Sequence, residues 1–256
     1  MTNDVTQRFS NRVDDYARYR PEYPVAMFDW LCNTFGISAN WRVADIGAGT
    51  GISTRQWLDR GHRVVAVEPN TAMREAAIRA LGDREMFRAT AGTAEATMIA
   101  AHSVDLISAA QSFHWFDRAA VRHEWRRILR ANGLVAVYWN SRLTHGTRFL
   151  EEFEALQHEF GTDYAAVAER HPTDAAMQEW FGAGFLGMNH LRNVQVLDFD
   201  QLRGRLLSSS WAPLANHPRH APMISALKSL FERHQARGHI ELAYDTRIFV
   251  GILQEP

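Results

Sequence analysis

The most constraining feature of this chain is a short glycine run, Gly47-Ala48-Gly49-Thr50-Gly51. It closes an apolar stretch, Arg42–Ile46, that reads as a buried strand, and it opens a helix over Ile52–Arg60 that Gly61 is placed to stop. Glycine lets a backbone turn sharply and lets a ligand approach where a β-carbon would collide. The free amides of the helix start can face that ligand. Taken alone, the run serves a nucleotide turn and plain strand-to-helix packing equally well.

Glu68 narrows the choice. It stands 21 positions after Gly47, at the end of a second strand read over Arg63–Val67. A carboxylate there can accept both hydroxyls of a ribose. The pair favours a nucleoside ligand. A dinucleotide fingerprint needs glycine or alanine at the sixth position from Gly47, and Ile52 occupies it. That speaks against a nicotinamide oxidoreductase without excluding one.

From residue 41 onward short apolar runs alternate with amphipathic stretches, the α/β pattern. Further strands are read over Met86–Ala91, Val104–Ala109 and Leu134–Trp139, with a turn at Asn132-Gly133. Helical crossovers between them imply a parallel, right-handed sheet. After Asn140 the rhythm changes: Phe149, Phe153, Leu156 and Phe160 make a helical stripe. The reading is one domain over 1–256: a helical cap over the sheet's top edge (1–35), a cofactor-binding core (36–140), a helical insertion (141–190) and C-terminal strands and helices (191–256). In the last part a strand is expected over Val194–Phe199, a helix over Gln201–Leu207, and a final strand over Leu242–Val250.

Hydrophobic residues make up 46% of the chain, enough for a sizeable core, and the formal net charge is −1. No global basic field points to nucleic acid or an anionic membrane. A local cluster of Arg8, Arg12, Arg18 and Arg20 is diluted by Asp14, Asp15 and Glu22 and reads as a solvated helix face. Cys32 is the single cysteine, the start lacks a secretory pattern, and no stretch reaches the length of a bilayer span. The expectation is a cytoplasmic protein, monomeric or a homodimer, with no nucleic-acid or membrane partner.

The phrase Val43-Ala44-Asp45-Ile46-Gly47-Ala48-Gly49-Thr50-Gly51 closely resembles the first motif of class I S-adenosylmethionine-dependent methyltransferases. Val67-Glu68-Pro69-Asn70 with Met73, then Gly92-Thr93-Ala94-Glu95, then Ala110-Gln111-Ser112-Phe113-His114-Trp115-Phe116-Asp117 follow in that family's order. The last phrase, with Arg20-Pro21-Glu22-Tyr23-Pro24, is similar to the small-molecule branch that includes trans-aconitate methyltransferases. The resemblance implies a Rossmann-like, doubly wound, seven-stranded sheet, mostly parallel, with its last strand inserted antiparallel. It implies S-adenosylmethionine as cofactor and S-adenosylhomocysteine as product. Gly47, Gly49 and Gly51, with Ala48, would pass under the methionine part. Asp45 would orient its ammonium group directly or through water. Glu68, beside Pro69, would hold the ribose, Met73 would lie near the adenine, and Thr93, Ala94 and Glu95 would meet the adenine edge. Gln111 would begin the wall beside the sulfonium, and Tyr16 and Arg20 would close over the cofactor.

Methyl transfer from a sulfonium needs alignment and exclusion of water more than covalent help. His114, after the fourth strand, is the candidate general base or substrate hydrogen-bond partner, against a purely structural role. Tyr23, Phe113, Trp115 and Trp211 are candidate substrate walls, with core packing the alternative for the aromatics. Arg20 is set to meet a cofactor carboxylate or an acidic substrate, unless it forms a surface ion pair. No metal site is expected, since His217 and His220 lack carboxylate or cysteine companions. The expected acceptor is a small molecule with an oxygen, nitrogen or carbon nucleophile, carboxylates included. Methylation of RNA or protein and a non-catalytic nucleotide module are the alternatives.

Overall fold

The structure, a computed structural model, describes residues 12–165 and 171–254; Arg8 lies outside them. Seven strands form one sheet in the order β3-β2-β1-β4-β5-β7-β6. They are β1 (Arg42–Ile46), β2 (Arg63–Val67), β3 (Phe87–Thr90), β4 (Val104–Ala110), β5 (Leu129–Arg142), β6 (Phe185–Leu197) and β7 (Ile240–Gly251). β1 to β5 pair in parallel, and β7 runs antiparallel between β5 and β6. This is the Rossmann-like sheet with its inserted antiparallel last strand.

Helices cover both faces, because strands such as β1, whose last four residues are all buried, have no face to leave wet. On one face lie α2 (Val25–Phe35), α3 (Ile52–Leu58) and α4 (Thr71–Leu81), joined to the sheet through Phe28, Leu31, Trp57 and Leu81. α2 therefore flanks the sheet instead of capping its edge, which corrects residues 25–35 of the cap expected over 1–35; residues 1–11 of that cap lie outside the described ones. Met27, Phe28 and Leu31 share its buried stripe, and the Phe28 ring meets Trp57 edge-on at 4.9 Å. On the other face α5 (Arg118–Ile128) and α7 (Asp174–Phe181) pack through Trp125, Ile128, Met177 and Phe181.

A third apolar cluster, Phe149, Phe153, Leu202, Leu206, Trp211, Met223 and Leu227 among its members, unites α6 (Arg148–Phe160), α8 (Phe199–Leu207) and α9 (His220–His234) with the far end of β7. It stands beyond the carboxyl ends of the parallel strands. α1 (Val13–Tyr19) docks on α8 where Gly204 leaves room: a β-carbon there would lie 2.1 Å from the Tyr19 ring. The arginines read as a solvated face help fasten this contact. Arg12 donates to the Leu207 and Ala212 carbonyls, and Arg20 to that of Ser208, meeting the free carbonyls past a helix end.

Two boundaries differ from the sequence reading. β5 starts at Leu129 and carries a bulge, Asn132 adopting φ of 63°, where a plain turn was expected. Residues 185–190, assigned to the helical insertion, belong to β6, which starts nine residues before Val194. As the edge strand it pairs only with β7, and its alternate residues face solvent, so polar positions such as Asn189, His190 and Arg192 hid it.

Candidate functional site

The glycine loop turns at the carboxyl end of β1 with Gly47, Gly49 and Gly51 all at positive φ. Each glycine answers a different demand. A β-carbon on Gly47 would lie 2.6 Å from that of Ser112, whose hydroxyl donates to the Ile46 carbonyl at 2.7 Å. Gly49 faces open space toward Tyr16. Gly51 lets α3 start against Leu81 and Ala77 of α4 and lines none of the three cavities around the loop, so helix packing accounts for its glycine.

Asp45 points the other way. It is fully buried beneath the loop, and its two oxygens accept from Thr54 Oγ1 at 2.7 Å and Ser108 Oγ at 2.9 Å. The pairing of β1 with β4 sets Asp45 opposite Ser108. Ser108, Ser53 and the Trp57 indole in turn converge on the Tyr138 hydroxyl. Burial raises the Asp45 carboxyl to about 6, against the pull of its hydroxyl donors, and pushes the Tyr138 phenol well up. Asp45 lines none of the three cavities around the loop and braces the loop from below, so of the two expected routes to an ammonium group, direct or through water, its burial leaves only the one through water.

Glu68 lies at the lip of the loop. Its carboxylate accepts from the amides of Gly49 at 2.9 Å and Asn70 at 2.8 Å, with Arg74 donating to its carbonyl. Burial outweighs these contacts and holds its carboxyl above the usual range. Glu68, Pro69, Met73, Thr93, Ala94 and Glu95 line one cavity of about 200 Å³ together with Gly47 and Gly49. The wall over 93–97 is pinned by α5: Trp125 donates to the Ala94 carbonyl at 3.1 Å, and Glu124 accepts from Thr97. Thr93 Oγ1 accepts from Ala96, which leaves its hydroxyl hydrogen to donate.

A second cavity, of about 330 Å³, opens under the third cluster and shares Tyr16, Gln111 and Trp115 with the first. Gln111 holds φ of 56°, a left-handed backbone uncommon outside glycine, with its amide on the Tyr138 carbonyl and its side chain on that of Asn140. His114, Trp115, Arg20 and Trp211 line this second cavity. Phe113 does not. It is fully buried among Phe116, Trp125, Trp139 and Trp180, so its expected place on a substrate wall is corrected to the core. Tyr23 is corrected likewise: it packs edge-on against Tyr138 at 4.7 Å and reaches only a recess of about 30 Å³ shared with Tyr16, Arg20 and Ala48.

The larger cavity is ringed by residues the sequence reading did not single out: Arg142, Glu154, Tyr164, His171 and Arg205. Arg142 pairs with Glu154, which also accepts from the Tyr164 hydroxyl at 2.8 Å. Burial, with Arg247 and Arg20 nearby, lowers His171 to about 4, so it is neutral at neutral pH. The Trp139 indole donates to His114 Nδ1 at 3.3 Å. No local motif marks these residues, which come from five separate elements or loops. Among the described residues no cluster of His, Cys, Asp or Glu could hold a metal ion, and no helix is long and apolar enough to cross a membrane.

Known proteins share both the segment and the fold. Residues 44–137 match the methyltransferase domain family. An uncharacterized methyltransferase of Mycobacterium tuberculosis is 39% identical over 139 residues, 54% of each chain. A methyltransferase-like protein of Schizosaccharomyces pombe is 33% identical over 135 residues, 52% of each chain. These matches span about half the length of the curated relatives. A solved structure assigned as a type II methyltransferase of Anaeromyxobacter dehalogenans superposes with a TM-score of 0.69 at 22% identity, covering 93% of this chain and all of that one. Phosphoethanolamine N-methyltransferase 2 of Haemonchus contortus, solved with S-adenosylhomocysteine, superposes with a TM-score of 0.57 at 16% identity, over 97% of this chain and 58% of that one. Residues 44–137 thus match a methyltransferase domain, in a chain whose fold is that of the solved methyltransferases.

Proposed function

We propose that this protein transfers a methyl group from S-adenosylmethionine to a small-molecule acceptor held in the larger cavity. One observation carries the reading: the cavity bounded by the glycine loop and Glu68 shares a wall of Tyr16, Gln111 and Trp115 with a second, larger one. Two chambers separated by a few side chains suit a donor and an acceptor that must meet in line.

The residues present fit the cofactor. Gly49 offers backbone where a β-carbon would face the cavity, and Glu68 offers a half-buried carboxylate whose two oxygens are already aligned by amides. Glu68 would hold the ribose hydroxyls, Met73 and the Thr93–Glu95 wall the adenine, and Tyr16, Arg20 and Ala48 the methionine end. When bound, S-adenosylmethionine supplies an activated methyl group on a sulfonium. The Asp45 network fixes the loop, Gln111 holds the passage between chambers, and α6 with the 205–211 segment excludes water. His114 donates to the acceptor instead of taking its proton, because Trp139 occupies Nδ1.

The acceptor cavity's volume of about 330 Å³ and its lining of Glu154, Tyr164, Arg205 and Trp211, from α6, α8 and the loops after them, favour a small molecule over RNA or protein. Incubation with methyl-labelled S-adenosylmethionine and a fractionated metabolite extract, RNA or protein tests this. Label is expected in the small-molecule fraction. Label confined to macromolecules would overturn the acceptor class, and calorimetry showing no S-adenosylhomocysteine binding would overturn the cofactor.

A further inference from the structure

We infer that Arg205, with Arg20 beside it, forms a ready-made site for an anionic group on the acceptor, a carboxylate or a phosphate. The inference rests on the larger cavity being the acceptor chamber.

Arg205 is 9% exposed and lines only that cavity. Its guanidinium is oriented by neutral partners: Nε donates to the Tyr244 hydroxyl at 3.0 Å and Nη1 to Ser209 Oγ at 3.3 Å. Tyr244 is fixed in turn by donating to Gln195 at 2.6 Å. Nη2 donates to no described group. Arg20 is held in the same way. Nη2 donates to the Ser208 carbonyl at 2.9 Å, the guanidinium lies over the Tyr16 ring at 4.7 Å, and Nε is buried with no partner. Among the described residues neither arginine forms an ion pair.

Among the described residues the charge in this cavity is therefore unbalanced. Glu154 is the one carboxylate among its described lining residues, and Arg142 with Tyr164 already occupies it. Two guanidiniums remain with neutral partners, close enough that Arg205, after burial itself, helps lower Arg20 to about 10. A cation removed from water without a counter-charge is costly, and two together more so. Arg127, by contrast, has the Glu124 carboxylate as its partner. An entering anion would supply what Arg20 and Arg205 lack, with the bidentate geometry guanidinium favours.

The cofactor does not remove the imbalance. S-adenosylmethionine carries a net positive charge, and its carboxylate can reach Arg20 through the recess beside Gly47 that Arg20 also lines. Arg205 has no such second face. It is left for the acceptor.

The test uses protein saturated with S-adenosylhomocysteine, at constant ionic strength set with chloride. Succinate and glycerol 3-phosphate are the anionic probes, with succinamide and glycerol as neutral controls, read by thermal shift and calorimetry. At least one anion should raise Tm saturably while both controls leave it unchanged; which anion does so separates carboxylate from phosphate. Arg205→Gln should abolish that shift while S-adenosylhomocysteine affinity stays within about twofold. Should Arg205→Gln fail to fold, Arg205→Lys, which keeps the charge but loses the fork, should bind the anion about tenfold more weakly. Equal shifts in wild type and variant, or no shift with either anion, would overturn the site. Failure of S-adenosylhomocysteine to bind the wild type would instead overturn the cofactor reading, and the anion shift is then read on the protein without it.

Discussion

The indole N–H of Trp139 donates to Nδ1 of His114 at 3.3 Å, a contact that favours the tautomer with its hydrogen on Nε2. An indole nitrogen only donates, so Nδ1 must accept, and the neutral ring keeps its hydrogen on Nε2. Trp139 itself is fully buried and wedged against Phe113 and Phe249, so the donor does not wander. Of the two roles expected of His114, general base or hydrogen-bond partner to a substrate, this tautomer suits the partner.

Trp139→Phe should release that tautomer while keeping an aromatic ring in the core. Nitrogen-15 NMR of the imidazoles should show His114 protonated at Nε2 in the wild type and a mixture in the variant. Turnover on the true acceptor should fall about fivefold, the loss of a hydrogen bond of ~1 kcal/mol. An unchanged tautomer would remove Trp139 from this role.

Glu68 carries the ribose assignment. Its oxygens are aligned by the Gly49 and Asn70 amides, so Glu68→Gln would turn an amide N–H toward one of two donors. S-adenosylhomocysteine should bind at least about tenfold more weakly, ~1.4 kcal/mol. Calorimetry giving wild-type affinity would show that the ribose is held elsewhere.

The parts of the site legible in the sequence are those that local phrases carry. Glu68, Met73 and Thr93–Glu95 each follow a strand's carboxyl end, and all meet at one cavity. Direction within a phrase was not legible. Asp45 and Gly51 flank Gly47 and Gly49 in sequence yet face the Ser108 network and α4, and Phe113 precedes His114 yet turns into the core. Adjacency along a chain does not say which way a side chain points. The acceptor side was illegible for another reason: Arg142, Glu154, His171 and Arg205 are brought together by packing of the third cluster, and no spacing along the chain announces that.

Asp45 gives a pH signature. Its carboxyl is raised to about 6 in the folded protein from 3.8, chiefly by burial. Between those values the folded state binds the proton and the unfolded state releases it. Stability from this group is therefore full below pH 4 and lost as pH rises through 6, by about 3 kcal/mol. Asp45→Asn cannot ionise. The stability gap between variant and wild type should shift in the variant's favour from pH 4 to pH 7, read from urea midpoints. A gap independent of pH would mean that Asp45 titrates normally.

The glycine loop offers a comparison between two residues that share a backbone but not a neighbourhood. Gly47 and Gly61 both sit at positive φ, 69° and 87°. A β-carbon on Gly61 would meet Ala39 at an ordinary 3.7 Å, whereas one on Gly47 would lie 2.6 Å from the Ser112 β-carbon. Ser112 cannot retreat freely, since its hydroxyl holds the Ile46 carbonyl at 2.7 Å. Gly61→Ala should therefore cost only the left-handed strain of about 1 kcal/mol, with S-adenosylhomocysteine affinity intact. Gly47→Ala should add an overpacking cost of roughly 1–3 kcal/mol and weaken the ligand, because the loop must shift. Equal costs in urea unfolding, with affinity unchanged in both, would mean that the loop is soft and that Gly47 serves the turn alone.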